Sequence, residues 1–295
     1  MKESLFCLPS LHLGLQASSC AILVTGIKRR GDEKMDLGLK DKKALVMASS
    51  QGLGKAIAEQ LVREGTDVMI ASRNEQQLKK VAEELNGING GKVKYIRCDI
   101  TNSADITRTV KHTADMFGGI DILINNAGGP PAGNFEDLKD EDWQRSFELN
   151  LLSYIRVIRE ALPLLKEKGG RIINIASSSI REPIPGLILS NTFRLGIVGL
   201  SKTIANEFAK YNILVNTVGP GRIATERVEH LDETHAQMEG ISVQEIKTRS
   251  QKSIPLGRDG TPEEFAKIVV FLASEGNTYM TGSTFVVDGG KLRSI

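Results

Sequence analysis

The segment Ala48-Ser49-Ser50-Gln51-Gly52-Leu53-Gly54 stands between a short apolar run and an amphipathic one. Glycines at this spacing let a backbone turn tightly and approach a bulky anion. A helix starting near Leu53 would aim its free N–H groups at the same point. The chemistry such a loop serves is the binding of a dinucleotide pyrophosphate, a weak signal alone that gains weight from the strand before it and the helix after it. Further on, a second apolar run ends Ile70-Ala71-Ser72-Arg73-Asn74. A carboxylate at this tip would hold a ribose diol, whereas Ser72 and Arg73 offer a hydroxyl and a bidentate guanidinium that suit a 2′-phosphate. This favours NADP(H) over NAD(H); the alternative is that Arg73 is a solvated strand end.

Other chemistries lack their residues. Cys7, Cys20 and Cys98 make neither a disulfide framework nor a spaced metal site, and His12, His112, His230 and His235 share no ligand spacing, so no metal is expected. A net charge of +2 with no dense Lys/Arg block gives no electrostatic basis for binding nucleic acid or an acidic membrane. Hydrophobic content of 40% and charged content of 25% are those of a soluble globular protein, and the cysteine usage suits a reduced cytoplasm.

The elements that must position these residues alternate. Strands are expected at Ala44–Ala48, Asp67–Ala71, Val93–Cys98, Ile120–Ile124, Arg171–Ile175, Leu214–Val218 and Thr284–Val287, rich enough in Val, Ile and Leu to be covered on both faces. Helical patterns run from Leu53 to Glu64, Glu75 to Leu85, Ala104 to Phe117, Asp140 to Leu165, Thr192 to Lys210 and Pro262 to Ser274, with Pro163 marking the end region of the fourth. The fold class is therefore α/β: a single Rossmann-type doubly wound parallel sheet of about seven strands with helices on both faces. The polar stretch Ala224–Ile254 reads as a long connection suited to a substrate lid.

Residues 1–34 differ from the rest. Pro9, His12, Gly14 and Gln16 interrupt the apolar stretch Leu5–Val24, which falls short of a spanning helix, and Glu3 cancels Lys2 in what would be a weak secretory leader. The expectation is a non-domain extension with translation starting at Met35, so that the domain covers 35–295; an intact natural N-terminal peptide containing Cys7 would end that idea.

From Lys40 to about Gly290 the chain resembles the short-chain dehydrogenase/reductase family, in particular reductases of 3-oxoacyl-[acyl-carrier-protein] type. The resemblance rests on the glycine loop, Asp99-Ile100 after the third strand, Asn125-Asn126-Ala127-Gly128 after the fourth, Asn150 in the next helix, Gly170-Arg171-Ile172-Ile173-Asn174-Ile175-Ala176-Ser177, Gly219-Pro220-Gly221 with Thr225, and Asp288-Gly289-Gly290. It implies that Ser49, Ser50, Gln51, Gly52, Leu53 and Gly54 cradle the cofactor and that Asp99 and Ile100 meet the adenine. It also implies that Asn126, Ala127 and Gly128 line the cleft and that Pro220, Gly221 and Thr225 meet the nicotinamide carboxamide. Ser177 would be the catalytic serine and Asn150 the carrier of a proton-relay water. Family members commonly form tetramers through their two long helices, so a homo-oligomer, dimer or tetramer, is implied.

Two positions depart from that pattern. The first glycine of the loop is Ala48, and the family's catalytic tyrosine and lysine fall on Ser190 and Arg194. A serine hydroxyl is a far weaker acid than a phenol of pKa ~10, and an arginine does not surrender its proton. Arg194 is expected to bond the nicotinamide ribose and keep a fixed positive charge beneath the site; Ser177 and Ser190 can polarise a carbonyl oxygen, with the proton arriving through water at Asn150. Each hydroxyl can equally be satisfied by backbone. Tyr154, one turn from Asn150, reads as a packed helix tyrosine. The leading expectation is an NADP(H)-dependent oxidoreductase acting on a small carbonyl or acyl-thioester substrate. The alternatives are a dinucleotide sensor or inactive subunit, or a lyase or epimerase on the same scaffold.

Overall fold

A computed structural model describes residues 36–294, so the expectations for residues 1–34 and for a start at Met35 lie outside the described residues. Seven strands form one sheet: β1 (Lys43–Met47), β2 (Asp67–Ser72), β3 (Val93–Arg97), β4 (Ile122–Asn125), β5 (Gly170–Ile175), β6 (Ile213–Pro220) and β7 (Thr284–Val287). Their order is β3-β2-β1-β4-β5-β6-β7, and every pairing is parallel. Between them run α1 (Gly52–Arg63), α2 (Glu75–Asn86), α3 (Ser103–Phe117), α4 (Asp140–Phe147), α5 (Ser153–Lys168), α6 (Ile188–Phe208), α7 (Glu226–Glu239), α8 (Val243–Lys252) and α9 (Pro262–Ala273).

Strand side chains alternate between two cores, which is why the strands are apolar throughout. In β1, Ala44 and Val46 join a cluster with residues of α1, α2 and α9. Leu45 and Met47 point the other way, into a cluster with α3, α5 and α6. Short polar side chains start the helices: Asn102 accepts from the Ala104 and Asp105 amides, and Thr261 forms a capping box with Glu264 ahead of Pro262.

Pro163 lies in the C-terminal part of α5, which runs three residues beyond the expected Leu165 to Lys168. One expectation needs correction. Position 224 to 254 is not an irregular connection but holds α7 and α8. Ser242 and Glu245 form a capping box at the start of α8, and left-handed Gly240 closes α7. These signals were present in the sequence, but the sparse apolar residues of the segment concealed the helical period.

α4 and α5 are joined by a π-helical turn, Glu148–Leu152, so the backbone from Asp140 to Lys168 runs as one rod with a local bulge. Such bulges recur at functional sites because they displace a side chain from regular helical register. Asn150 sits in this one.

Candidate active site

The strand order reverses between β1 and β4, with β2 and β3 on one side and β5 to β7 on the other. In such sheets ligands bind at this switch point, beyond the carboxyl ends of the strands. The candidate residues follow those ends: Ala48 to Gly54 after β1, Ser72 and Arg73 at β2, Asp99 and Ile100 after β3, Asn126 to Gly128 after β4, Ser177 after β5, and Pro220 to Thr225 at β6.

The glycine loop is drawn tight against the sheet. A Cβ on Gly54 would lie 2.4 Å from the Ala48 carbonyl oxygen and 2.8 Å from the Ser49 Cα. Gly52 has φ +56° and Ala48 has φ +48°, so alanine occupies a left-handed conformation that costs nothing only to glycine. Asn126 Nδ2 braces that turn by donating to the Ala48 carbonyl at 3.1 Å. Ser49 is spent inside the fold: its hydroxyl donates to Val46 O and accepts from the Ala71 amide, and its own amide donates to Ala71 O. It shapes the loop rather than offering a side chain to it. Ser50, half-buried, and Leu53 remain at the turn, and Gln51 donates through Nε2 to Glu226, the first residue of α7.

At the far end, the Ser72 hydroxyl is buried and Arg73 beside it is exposed, and neither side chain has a partner among the described residues. Asp99 accepts from the Thr101 amide and hydroxyl through Oδ1, leaving Oδ2 open, while Ile100 is 7% exposed beside it. An orphaned hydroxyl, a free guanidinium, an open carboxylate oxygen and a loop closed to any Cβ fit an adenosine dinucleotide lying along the strand ends.

The catalytic end is organised around Arg194, which is 4% exposed. Its Nη1 donates to Tyr154 Oη at 2.9 Å and Ile175 O at 3.0 Å; its Nη2 donates to Ala127 O at 3.1 Å and, more weakly, Gly128 O at 3.5 Å. All four Nη hydrogens are thereby committed to the ends of β4 and β5 and to α5. The ribose contact expected of this residue is left to Nε–H alone. Tyr154 is 2% exposed and donates its hydroxyl to Ile175 O at 2.7 Å. Burial holds its phenol above the ordinary tyrosine range, against the opposing pull of the Arg194 charge. Tyr154 and Arg194 thus form a buried clamp rather than an acid and its activator.

Asn150 is fully buried and donates Nδ2 to Gly128 O at 2.7 Å, while its Oδ1 has no partner among the described residues. A buried amide oxygen without a donor is the setting in which an ordered water belongs. Ser177 accepts from the Ser179 amide at 3.1 Å, capping a short turn, which leaves its O–H free to donate. Ser190 is 8% exposed, makes no hydrogen bond within the described residues and lies one helical turn before Arg194 on the same face of α6. Behind them a buried polar chain runs Asn125–Asn174–Ser201–Thr217 at 2.8, 2.8 and 2.9 Å, tying β4, β5, α6 and β6 together. Sequence reading missed this chain and the Tyr154–Arg194 pair, since each joins residues far apart along the chain.

The α7–α8 segment is anchored by Arg222, whose guanidinium meets Asp232 of α7 at 2.8 Å and Asp259 before α9 at 2.7 Å. Gly221 packs so closely that a Cβ would lie 2.4 Å from that of Asp288, and Thr225 precedes α7 with its hydroxyl donating to Ile223 O rather than to the helix. Asp232→Ala leaves Arg222 half-paired and is expected to cost about 3 kcal/mol. Hydrogen exchange locates the loss: protection should fall across 226–252 and hold in β1 and β4.

On the substrate side, Gly133, Phe135, Pro183, Ile184, Ile188 and Asn191 line a largely apolar cleft of about 450 Å³. Among the described residues no group of acids, histidines and cysteines is arranged to hold a metal ion, and no helix is long and apolar enough to cross a membrane.

Fold and site together define a nicotinamide-dinucleotide oxidoreductase. The sequence model of the family described as Enoyl-(Acyl carrier protein) reductase matches residues 47–291. A 3-oxoacyl-[acyl-carrier-protein] reductase FabG of Aquifex aeolicus is 35% identical over 257 residues, 87% of this chain and 99% of that protein. Dehydrogenase/reductase SDR family member 4 of Bos taurus is 33% identical over 96% of this chain and 99% of its own length. The structure of L-sorbose reductase from Gluconobacter frateurii, complexed with NADPH and L-sorbose, superposes with a TM-score of 0.84 at 32% identity, covering 88% of this chain and all of that one. The chain belongs to the short-chain dehydrogenase/reductase family.

Proposed function

We propose that this oxidoreductase is an NADP(H)-dependent reductase of a carbonyl group, with a 3-oxoacyl thioester or a related small oxo compound as substrate. The observation that carries the cofactor preference is the tip of β2, where the side chains of Arg73 and Ser72 have no partner among the described residues and the strand ends in no carboxylate for a ribose diol. Reductases of similar fold whose structures hold NADPH support it. Arg73→Ser is expected to weaken kcat/KM for NADPH roughly twentyfold while changing that for NADH less than threefold. Equal losses with both cofactors would remove the preference.

When bound, the nicotinamide supplies or accepts hydride. The residues would do the rest. Ser177 keeps a free O–H and can donate to the substrate oxygen as negative charge develops on it. Ser190, with no partner of its own, can supply a second donor on the same side as Arg194. Arg194 holds the Ala127, Gly128 and Ile175 carbonyls in place and contributes fixed positive charge. The proton reaches the oxygen through water held at the unpaired Oδ1 of Asn150, because neither Arg194 nor buried Tyr154 is a source of one near neutral pH.

The test is NADPH oxidation with 3-oxoacyl thioesters and simple ketones. Turnover should fall about a hundredfold in Ser177→Ala and persist in Tyr154→Phe. NADPH binding without oxidation across the panel would instead favour a dinucleotide sensor or inactive subunit, the reading that replacement of the tyrosine–lysine pair by Ser190 and Arg194 keeps in view. We further propose a cytoplasmic homo-oligomer. Leu195 of α6 is 54% exposed and Tyr279 before β7 is 97% exposed, apolar surface that a partner copy could cover.

A further inference from the structure

Two arginines converge on the loop that follows β4, and no carboxylate among the described residues pairs with either. Arg194 reaches it from α6, donating to Ala127 O and Gly128 O. Arg227 reaches it from α7, donating through Nη2 to Pro130 O at 2.7 Å. Gly129 lies between these carbonyls, and a Cβ there would stand 3.0 Å from Nε and Nη2 of Arg227, so this glycine makes room for the guanidinium. Arg194 has its Nη hydrogens committed, but Arg227 has one hydrogen bond for five N–H donors. Burial, and after it the charge of Arg194, push the Arg227 pKa down from its ordinary value. A guanidinium stays charged regardless, so the pair leaves positive charge, uncompensated by any carboxylate among the described residues, on a half-buried Arg227 and a buried Arg194.

The loop that Arg227 bonds leads into the apolar cleft. The same loop continues from Pro130 to Gly133 and Phe135, which line the apolar cleft. Its opposite wall includes Ile188 and Asn191, on either side of Leu189 and Ser190. Gly133 donates to Gly186 O at 2.7 Å, so the two walls are joined.

We propose that Arg227 selects substrate by taking a carboxylate, so that the substrate class is an oxo acid, or the corresponding hydroxy acid, whose apolar portion occupies the cleft. The inference rests on the reading of the chain as a carbonyl reductase. Planar Arg–carboxylate recognition is bidentate, and Arg227 has the free donors for it. The residue is a specificity determinant, placed on the α7 segment that Gln51 and Arg222 hold against the body of the domain.

The experiment uses NADPH-saturated enzyme with acetoacetate and with methyl acetoacetate, which share the oxo group and differ at one end, a carboxylate against its neutral methyl ester. Wild type should prefer the acid. Arg227→Gln should lower kcat/KM for the acid about a hundredfold, leave the ester within threefold and leave the NADPH Kd within threefold. Arg227→Lys should restore part of the loss. The proposal is overturned if acid and ester fall together, if neither changes, or if the NADPH Kd weakens tenfold or more, since the guanidinium would then serve the cofactor phosphates. Should neither compound turn over, calorimetric titration of acetoacetate into NADP+-loaded protein decides the matter separately from activity. Binding to wild type that is lost in Arg227→Gln supports the site, and no difference between the two rejects it.

Discussion

Replacing Arg194 with methionine is expected to destabilise the domain by about 3–5 kcal/mol, lowering Tm by roughly 10 °C. The variant keeps most of the buried volume but removes the guanidinium donors to Tyr154 Oη, Ile175 O, Ala127 O and Gly128 O, leaving Ile175 O only its Tyr154 donor and Gly128 O only its Asn150 donor among side chains. Those acceptors lie at the ends of the two central strands, where water cannot replace the lost bonds without opening the core. Arg194→Lys should recover less than half of the loss, because one ammonium cannot span acceptors that a planar fork meets from both sides. The consequence for engineering is direct. Installing the family pair as Ser190→Tyr with Arg194→Lys removes this clamp, so the double variant should be less stable than wild type whatever it gains in proton transfer. Thermal denaturation of the three variants checks the order wild type, lysine, methionine, and equal Tm values would show that the clamp is not structural.

Gly54→Val should abolish useful cofactor binding, with an NADPH Kd weakened more than a hundredfold and about 3 kcal/mol of stability lost. Alanine already places its Cβ 2.4 Å from the Ala48 carbonyl oxygen, and backbone on that side cannot step aside as a flexible side chain could. The loop is closed on its other side as well: Asn126 holds the same carbonyl, and the Ser49 hydroxyl is locked between Val46 and Ala71. The helix must therefore lift away from β1, and its N–H groups leave the position where they meet a pyrophosphate. Fluorescence titration with NADPH measures the first effect and chemical denaturation the second. Tight binding in the valine variant would mean that the pyrophosphate is held elsewhere.

The seven strands and seven of the helices, α4 and α5 within a single pattern, were legible because their signals are local. Apolar runs bounded by turn residues mark β1 to β6, and the Thr261-Pro262-Glu263-Glu264 start marks α9. α7 and α8 escaped because they bury few side chains: Asp232 and Ala236 in one, Ile246 in the other. A helix held by a buried ion pair to Arg222 carries little hydrophobic periodicity to read. Arg227 escaped for a related reason, since its role depends on which loop lies opposite α7.

The sequence by itself determined the sheet, the glycine loop and the absence of tyrosine and lysine at positions 190 and 194, because alternation, turn chemistry and residue identity are written in neighbouring residues. Only the tertiary structure decided what the substituted residues do. It placed the Arg194 guanidinium on the Tyr154 hydroxyl and on carbonyls of β5 and of the loop after β4, and it set Arg227 on Pro130 O with no acid beside it among the described residues, contacts between residues 40 and 97 positions apart. It also committed the Ser49 hydroxyl to β2 and left those of Ser177 and Ser190 able to donate. A polar side chain bonds to whatever packing brings within 3 Å, and packing is a property of the folded chain as a whole.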